Sequence, residues 1–191
     1  MPWEKSYREE DVLEGAMRAF WACGYEATSM AELVKATGIN RGSLYAAFDG
    51  KRGLFLRALD HYDTHHRAGF LDAIGRDLPP RAAILEVFRR ASEQGRQTPP
   101  GCLLVNTALE MSPHDPEIAA SVNARLKAVE DFFCDRIKAG RKDGSLRRDL
   151  PPRITAQGLL GLFLGLRVLK RTAPGGITAA AMVKQAERML E

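Results

Sequence analysis

Cysteine is scarce in this chain. The three in 191 residues stand at positions 23, 102 and 134, too far apart for a CxxC metal knuckle or a disulfide framework. No stretch alternates apolar and polar residues long enough to make a half-buried strand, and nothing repeats at a fixed period, which excludes solenoids and propellers. No apolar run approaches the roughly 20 residues that span a bilayer. The longest, 159–166, contains Gly161 and Gly165 and is flanked by Gln157 and Arg167, so it reads as a packing face. The first residues, Met1-Pro2-Trp3-Glu4-Lys5, lack an apolar signal core. Phosphate loop, dinucleotide fingerprint, nucleophile elbow and HExxH pair are also missing, which argues against a small helical enzyme. His61 and His65 stand one helical turn apart with Asp63 near, but the pair lacks a third ligand on that face, so no metal is expected. These absences predict a protein of the reducing cytoplasm, with no membrane partner and no cofactor.

What is present is ordinary globular composition: 45% apolar and 27% charged residues exclude wholesale disorder. The length suits one compact domain, or a module of about 50 residues on a larger body. The net charge of +4 is unevenly placed. Acids crowd the start (Glu4, Glu9, Glu10, Asp11, Glu14), whereas Lys35, Arg41, Lys51, Arg52 and Arg57 face only Asp49 between positions 35 and 57. Such a basic edge can meet a polyanion, or simply be solvated.

The spacing predicts helices throughout. Val12, Ala16 and Phe20 form a helical stripe behind Glu9, Glu10 and Asp11, acids that suit a positive helix start, and Gly24 closes it. Ser29 with Glu32 makes a capping box for a short helix ending at Gly38. Ile39, Leu44 and Phe48 mark a third helix, and a long one begins near Lys51, carrying Leu54, Phe55, Ala58, Leu59, Tyr62 and Phe70. Proline pairs then separate helical segments at 81–97, 101–111, 117–139, 153–171 and 178–190. Eight or nine helices are expected: an all-α fold with a three-helix module over 1–50 and a larger body over 51–191.

Three short helices with a glycine-containing turn between the second and third are the helix-turn-helix layout. Arg41 stands at the start of the third helix, and Lys51 and Arg52 at the start of the fourth, where cations oppose the helix dipole. Both ends make sense if they share an external anion such as DNA phosphate. The alternatives are that Asp49 neutralises the second pair and that Arg41 reaches into water.

Thr28-Ser29, Ala36-Thr37-Gly38-Ile39, Gly42-Ser43-Leu44-Tyr45, Phe48, Lys51 and Leu54-Phe55 together resemble the signature of TetR-type (tetracycline-repressor-like) transcriptional regulators, over about residues 8–57. Ala46 and Ala47 depart from it, since many members carry His or Tyr before the Phe. The resemblance implies a homodimeric repressor of a palindromic, inverted-repeat operator, released by a small-molecule effector. It assigns base contacts to Arg41 and Ser43, a close approach at Gly42, a thymine-methyl contact to Leu44, and backbone contacts to Thr28, Ser29, Tyr45 and Lys51; Asn40 belongs to the same DNA-binding set. Tyr45 is alternatively a core aromatic. A helical adaptor that keeps the fold without reading DNA is the other reading.

Segment 101–110 resembles one subgroup's body motif. Cys102 follows Pro99-Pro100-Gly101 at a predicted helix start, where the dipole favours thiolate, so it is a candidate thiol sensor or else a buried small hydrophobe. Asn106 and Glu110, one and two turns on, line an effector pocket or cap a buried network. Cys23 and Cys134 read as core. For dimerisation, Gly158, Gly161 and Gly165 permit close helix approach, with Ile118, Val122, Val129, Phe133 and Ile137 as the facing stripe; packing within one monomer explains the same residues.

Overall fold

The computed structural model describes residues 7–93, 98–172 and 178–191, of Thr178 the backbone alone. Among them the chain is helical, in the order α1 (Glu9–Cys23), α2 (Met30–Thr37), α3 (Arg41–Phe48), α4 (Gly50–Tyr62), α5 (Gly69–Asp77), α6 (Pro80–Ser92), α7 (Leu103–Glu110), α8 (Pro116–Asp143), α9 (Pro152–Thr172) and α10 (Thr178–Arg188). α4 does not stop at Tyr62. One π-helical stretch, Asp63–Ala68, carries it into α5 with αR dihedrals at both joins, so the long connector expected from Lys51 onward is a single rod with a π defect. Prolines open α6, α8 and α9, where their missing N–H leaves no bond unmade. The end of the segment expected at 81–97, and Pro174, lie outside the described residues.

Two cores organise the helices. The first gathers α1 to α4 with α7 and the start of α8. At its centre the Phe55 ring meets Phe20 edge-on at 5.1 Å and Tyr25 at 5.0 Å, geometries in which the ring quadrupoles attract. Leu54, Phe55, Ala58 and Leu59 of α4 are buried here, so by packing α4 belongs with the three short helices. The second core joins α5, α6, the later part of α8, α9 and α10. Ile118 and Val122 lie in the first core and Val129, Phe133 and Ile137 in the second, all buried within one chain. The facing stripe expected for a dimer is therefore intramolecular packing. Cys134 is buried as expected, whereas Cys23, in the last turn of α1, is exposed.

The end of α1 is where the two parts are tied. Its last turn holds no basic residue, so its terminal carbonyls need donors from elsewhere. Asn106 Nδ2 donates to Trp21 O at 3.3 Å, and the Arg171 guanidinium donates to Trp21 O at 3.2 Å and Ala22 O at 3.3 Å. Glu110 accepts from the N–H groups of Tyr25 and Glu26 at 2.9 and 2.8 Å. Gly24, at φ 91, sits beneath that carboxylate: a Cβ there would stand 2.7 Å from Glu110 Oε2. Left-handed backbone and lack of space both demand glycine.

Candidate nucleic-acid interface

Caps fix α2 and α3 before packing does. Ser29 Oγ accepts from Glu32 N at 3.2 Å while the Glu32 carboxylate accepts from Ser29 N at 2.6 Å, the reciprocal pair expected from the sequence. The Ser29 backbone N–H holds the Glu32 carboxyl below its usual range. Gly38 closes α2 in the left-handed region, Ile39 turns into the core, and Asn40 opens α3 by accepting from Ser43 N at 2.9 Å. Leu44 and Phe48 then anchor α3 inward. The opposite face is left to solvent.

That face carries Asn40, Arg41, Gly42 and Tyr45, all exposed, with Ser43 half-buried beside them. Tyr45 is 46% exposed, so its ring is not core. The Arg41 guanidinium lies 5.6 Å from the Tyr45 ring centre. A Cβ built on Gly42 would meet only Asn40 Oδ1, at 3.3 Å, so no helix among the described residues covers that position. Lys51, at the start of α4, lies 4.4 Å over the Tyr25 ring and donates to Glu26 O at 3.3 Å. An ammonium has three donors, so one such bond leaves it able to reach a phosphate. Ser29 is exposed at the start of α2.

Three expectations need correction. Thr28 is buried, and its hydroxyl donates to Gly24 O at 2.5 Å; it closes the α1–α2 turn and cannot reach a DNA backbone. Leu44 is wholly buried, which removes it from any thymine methyl. Arg52 does not share an external anion with Lys51. It pairs at 3.0 Å with Asp115, which caps α8, and at 2.6 Å with Glu117. Asp115 is held below the usual carboxylate range by the Ile118 backbone N–H and by Arg52.

In the body, a cavity of about 270 Å³ opens between the π-helical stretch, α6, α7, α8 and α9. Cys102, the N-cap residue of α7, is on its wall, with Sγ 3.4 Å from the buried Tyr62 hydroxyl. Asn106 and Glu110 are not on the wall; they hold the end of α1. Sequence reasoning missed Tyr62, Arg167 and Arg171. Arg167 and Arg171 are one turn apart on α9, a cation in an otherwise apolar face followed by a second, and that spacing was the available signal. His61 bonds Glu14 at 3.2 Å, and among the described residues no three His, Cys, Asp or Glu side chains gather as a metal site. No helix of the described residues is long and apolar enough to cross a membrane.

Known proteins agree with this geometry. Residues 12–58 match the family described as bacterial regulatory proteins, tetR family, and residues 79–182 match the tetracyclin repressor-like C-terminal domain. The HTH-type transcriptional repressor ComR of Escherichia coli K12 is 32% identical over 143 residues, covering 71% of this chain and 68% of ComR. BdcR, an HTH-type transcriptional repressor of the same strain, is 31% identical over 133 residues, 70% of this chain and 67% of BdcR. Among solved structures, a cysteine mutant of the TetR family transcriptional regulator CifR, complexed with 26bp double-strand operator DNA, superposes with a TM-score of 0.83 at 29% identity over 97% of both chains. The chain belongs to the tetR family of bacterial regulatory proteins.

Proposed function

We propose that this protein is a cytoplasmic transcriptional repressor that binds an inverted-repeat operator as a homodimer and leaves it when a small effector fills the cavity. One observation carries the reading: α3 presents Asn40, Arg41, Gly42, Ser43 and Tyr45 on a face that no described residue of another helix covers, with Ser29 and Lys51 at its flanks. Arg41 offers a bidentate grip on guanine O6 and N7, Gly42 lets the helix come close, and Tyr45, Ser29 and Lys51 hold phosphates. α1 to α3 form the reading head, and α4 joins it to the body.

A dimer must hold its two heads about 34–36 Å apart to enter successive major grooves. The pairing face we assign is the outer side of α9, where Ile154 is 71% and Val168 40% exposed and Gly161 stands between them. Release follows from where the cavity sits. Cys102 and Asn106 are one turn apart on α7, and Arg167 and Arg171 one turn apart on α9. In each pair the first residue lines the cavity and the second holds the end of α1. An effector that pushes on Cys102 and Arg167 therefore moves the clamps on the head, shifting the population toward dimers of another head spacing.

Selection of binding sites from random duplex DNA tests the reading. Enrichment of an inverted repeat is expected; binding that enriches no sequence and vanishes with salt would move the adaptor reading to the front. Cys102 gives a second test, because an adduct on its sulfur would occupy the cavity as an effector does. N-ethylmaleimide is expected to release operator from the wild type and from Cys23→Ser, but not from Cys102→Ser, whose operator affinity stays within about twofold. Release from Cys102→Ser at the wild-type rate would remove Cys102 from the mechanism.

A further inference from the structure

The cavity wall is mixed in a specific way. Phe70, Leu71, Val87, Val129 and Phe163 make most of it apolar, and three arginines, Arg67, Arg90 and Arg167, also reach it. None of the lining residues among those described is acidic. Two of the arginines are already neutralised. Arg67 grips both oxygens of Asp63, with its Nη2 at 2.8 Å, and Arg90 donates to Glu86 at 2.9 Å from a largely solvated position. Arg167 differs. It forms no ion pair among the described residues, and its Nε is buried with no hydrogen-bond partner. It is near enough to the Tyr62 hydroxyl to favour its ionised form, but that hydroxyl is neutral and supplies no counter-charge.

Arg167 is half-buried with its Nε shut off from water, and a guanidinium set beside apolar side chains without a counter-charge is less favourable than one that has it. The deficit is filled by a ligand that brings one negative charge in planar form, the shape a guanidinium fork matches best. The neighbours fit that role. Burial pushes the Tyr62 hydroxyl well above its ordinary value, so it stays protonated and available as a donor to an anion. Burial also lowers His66, leaving a neutral ring stacked 5.5 Å from Tyr62 rather than a competing cation. The volume, near the low end for ligand sites, favours a small molecule over a large one.

We infer that the cavity takes a small, mostly apolar monocarboxylate, its carboxylate held by Arg167 and the Tyr62 hydroxyl and its hydrocarbon part among Phe70, Leu71, Val87 and Phe163. The inference rests on the cavity being the effector site, and the test separates the two. Hexanoate, benzoate and phenylacetate are titrated by calorimetry into the DNA-free protein, alongside hexanamide, benzamide and phenylacetamide, which match them in shape but carry no charge. At least one acid is expected to bind about tenfold or more tightly than its amide. Arg167→Met should bring that ratio near one while keeping the helical circular-dichroism signal, and Arg167→Lys should retain part of the preference. A wild-type ratio near one, a ratio that Arg167→Met leaves unchanged, or no binding of any acid at millimolar concentration would overturn the ligand class. The acids are then added to the protein–operator complex. Arg167-dependent binding without operator release would uphold the ligand class and overturn the effector reading. Release by N-ethylmaleimide with no acid bound would do the reverse.

Discussion

Gly161→Glu is expected to leave the chain folded, part the two protomers, and weaken operator binding about a hundredfold or more. Within one chain the substitution is harmless, since a Cβ at Gly161 meets nothing within 4 Å. Between two chains it would set a carboxylate on each side of a twofold axis, in a patch where Ile154 and Val168 supply apolar contact. A carboxylate removed from water without a partner is strongly unfavourable, and by symmetry the interface receives it twice. The DNA effect follows from linkage. A dimer docks its second head as an intramolecular event, and losing that advantage costs about 10²–10⁴ in affinity. Light scattering after size exclusion reads the mass and circular dichroism the fold. A variant that stays dimeric would place the interface on another face.

The same glycines show where sequence stops being legible. Gly158, Gly161 and Gly165 look alike as a small-residue stripe. In the structure, a Cβ at Gly158 would stand 2.6 Å from Met189 Cε of α10 and one at Gly165 3.5 Å from Met182 Cε, while Gly161 alone is open. The two methionines that cover Gly158 and Gly165 come from α10, a separate helix later in the chain, and no local pattern encodes that. Ile118 through Ile137 carried a clear helical period, but a period says which residues share a face and not what covers it. The first sixty residues were more legible because their signals are local: the capping box at Ser29, the stop at Gly38, and acids before Val12 act within one turn of where they stand. Where the reading failed there, the missing signal was tertiary or the helix was short. The resemblance places Thr28 on the DNA backbone, but its hydroxyl is turned inward to Gly24 O, and no local pattern announces that bond. Leu44 and Tyr45 are adjacent on an eight-residue helix too short for its period to assign both.

Arg52 and Arg41 teach the complementary lesson about charge. Each opposes the dipole of the helix it begins, and from sequence each is anomalous for the same reason. Arg52 finds its reason inside the chain, in Asp115 and Glu117, which lie more than sixty residues away. These contacts also tie the start of α4, just behind the head, to α8, and so add to the clamps that α7 and α9 place on α1. Arg41 finds no such partner among the described residues; its one neighbour is the Tyr45 ring. An anomaly resolved by a distant carboxylate is structural. One that stays unresolved in the folded chain points outward.

Arg41→Ala is accordingly expected to act with opposite signs on folding and on DNA. Removing an exposed cation from the first turn of α3 relieves the dipole, so thermal stability should hold or rise, by about 0.3–1 kcal/mol at most. Operator affinity should fall. A bidentate arginine–guanine contact is worth about 1–3 kcal/mol, and the dimer makes it twice, so the loss is about 2–6 kcal/mol, roughly 30-fold to 25,000-fold. The pattern across sequences decides what Arg41 touches. If it reads a guanine, the variant loses most on the selected repeat, loses little on sites already changed at that base, and keeps its salt dependence. If it holds only a phosphate, affinity falls equally on every sequence and the salt slope drops by about one for each phosphate no longer neutralised, the behaviour expected of Lys51→Ala. Unchanged affinity for the repeat would mean that α3 is not the reading helix, because Arg41 is its only basic residue.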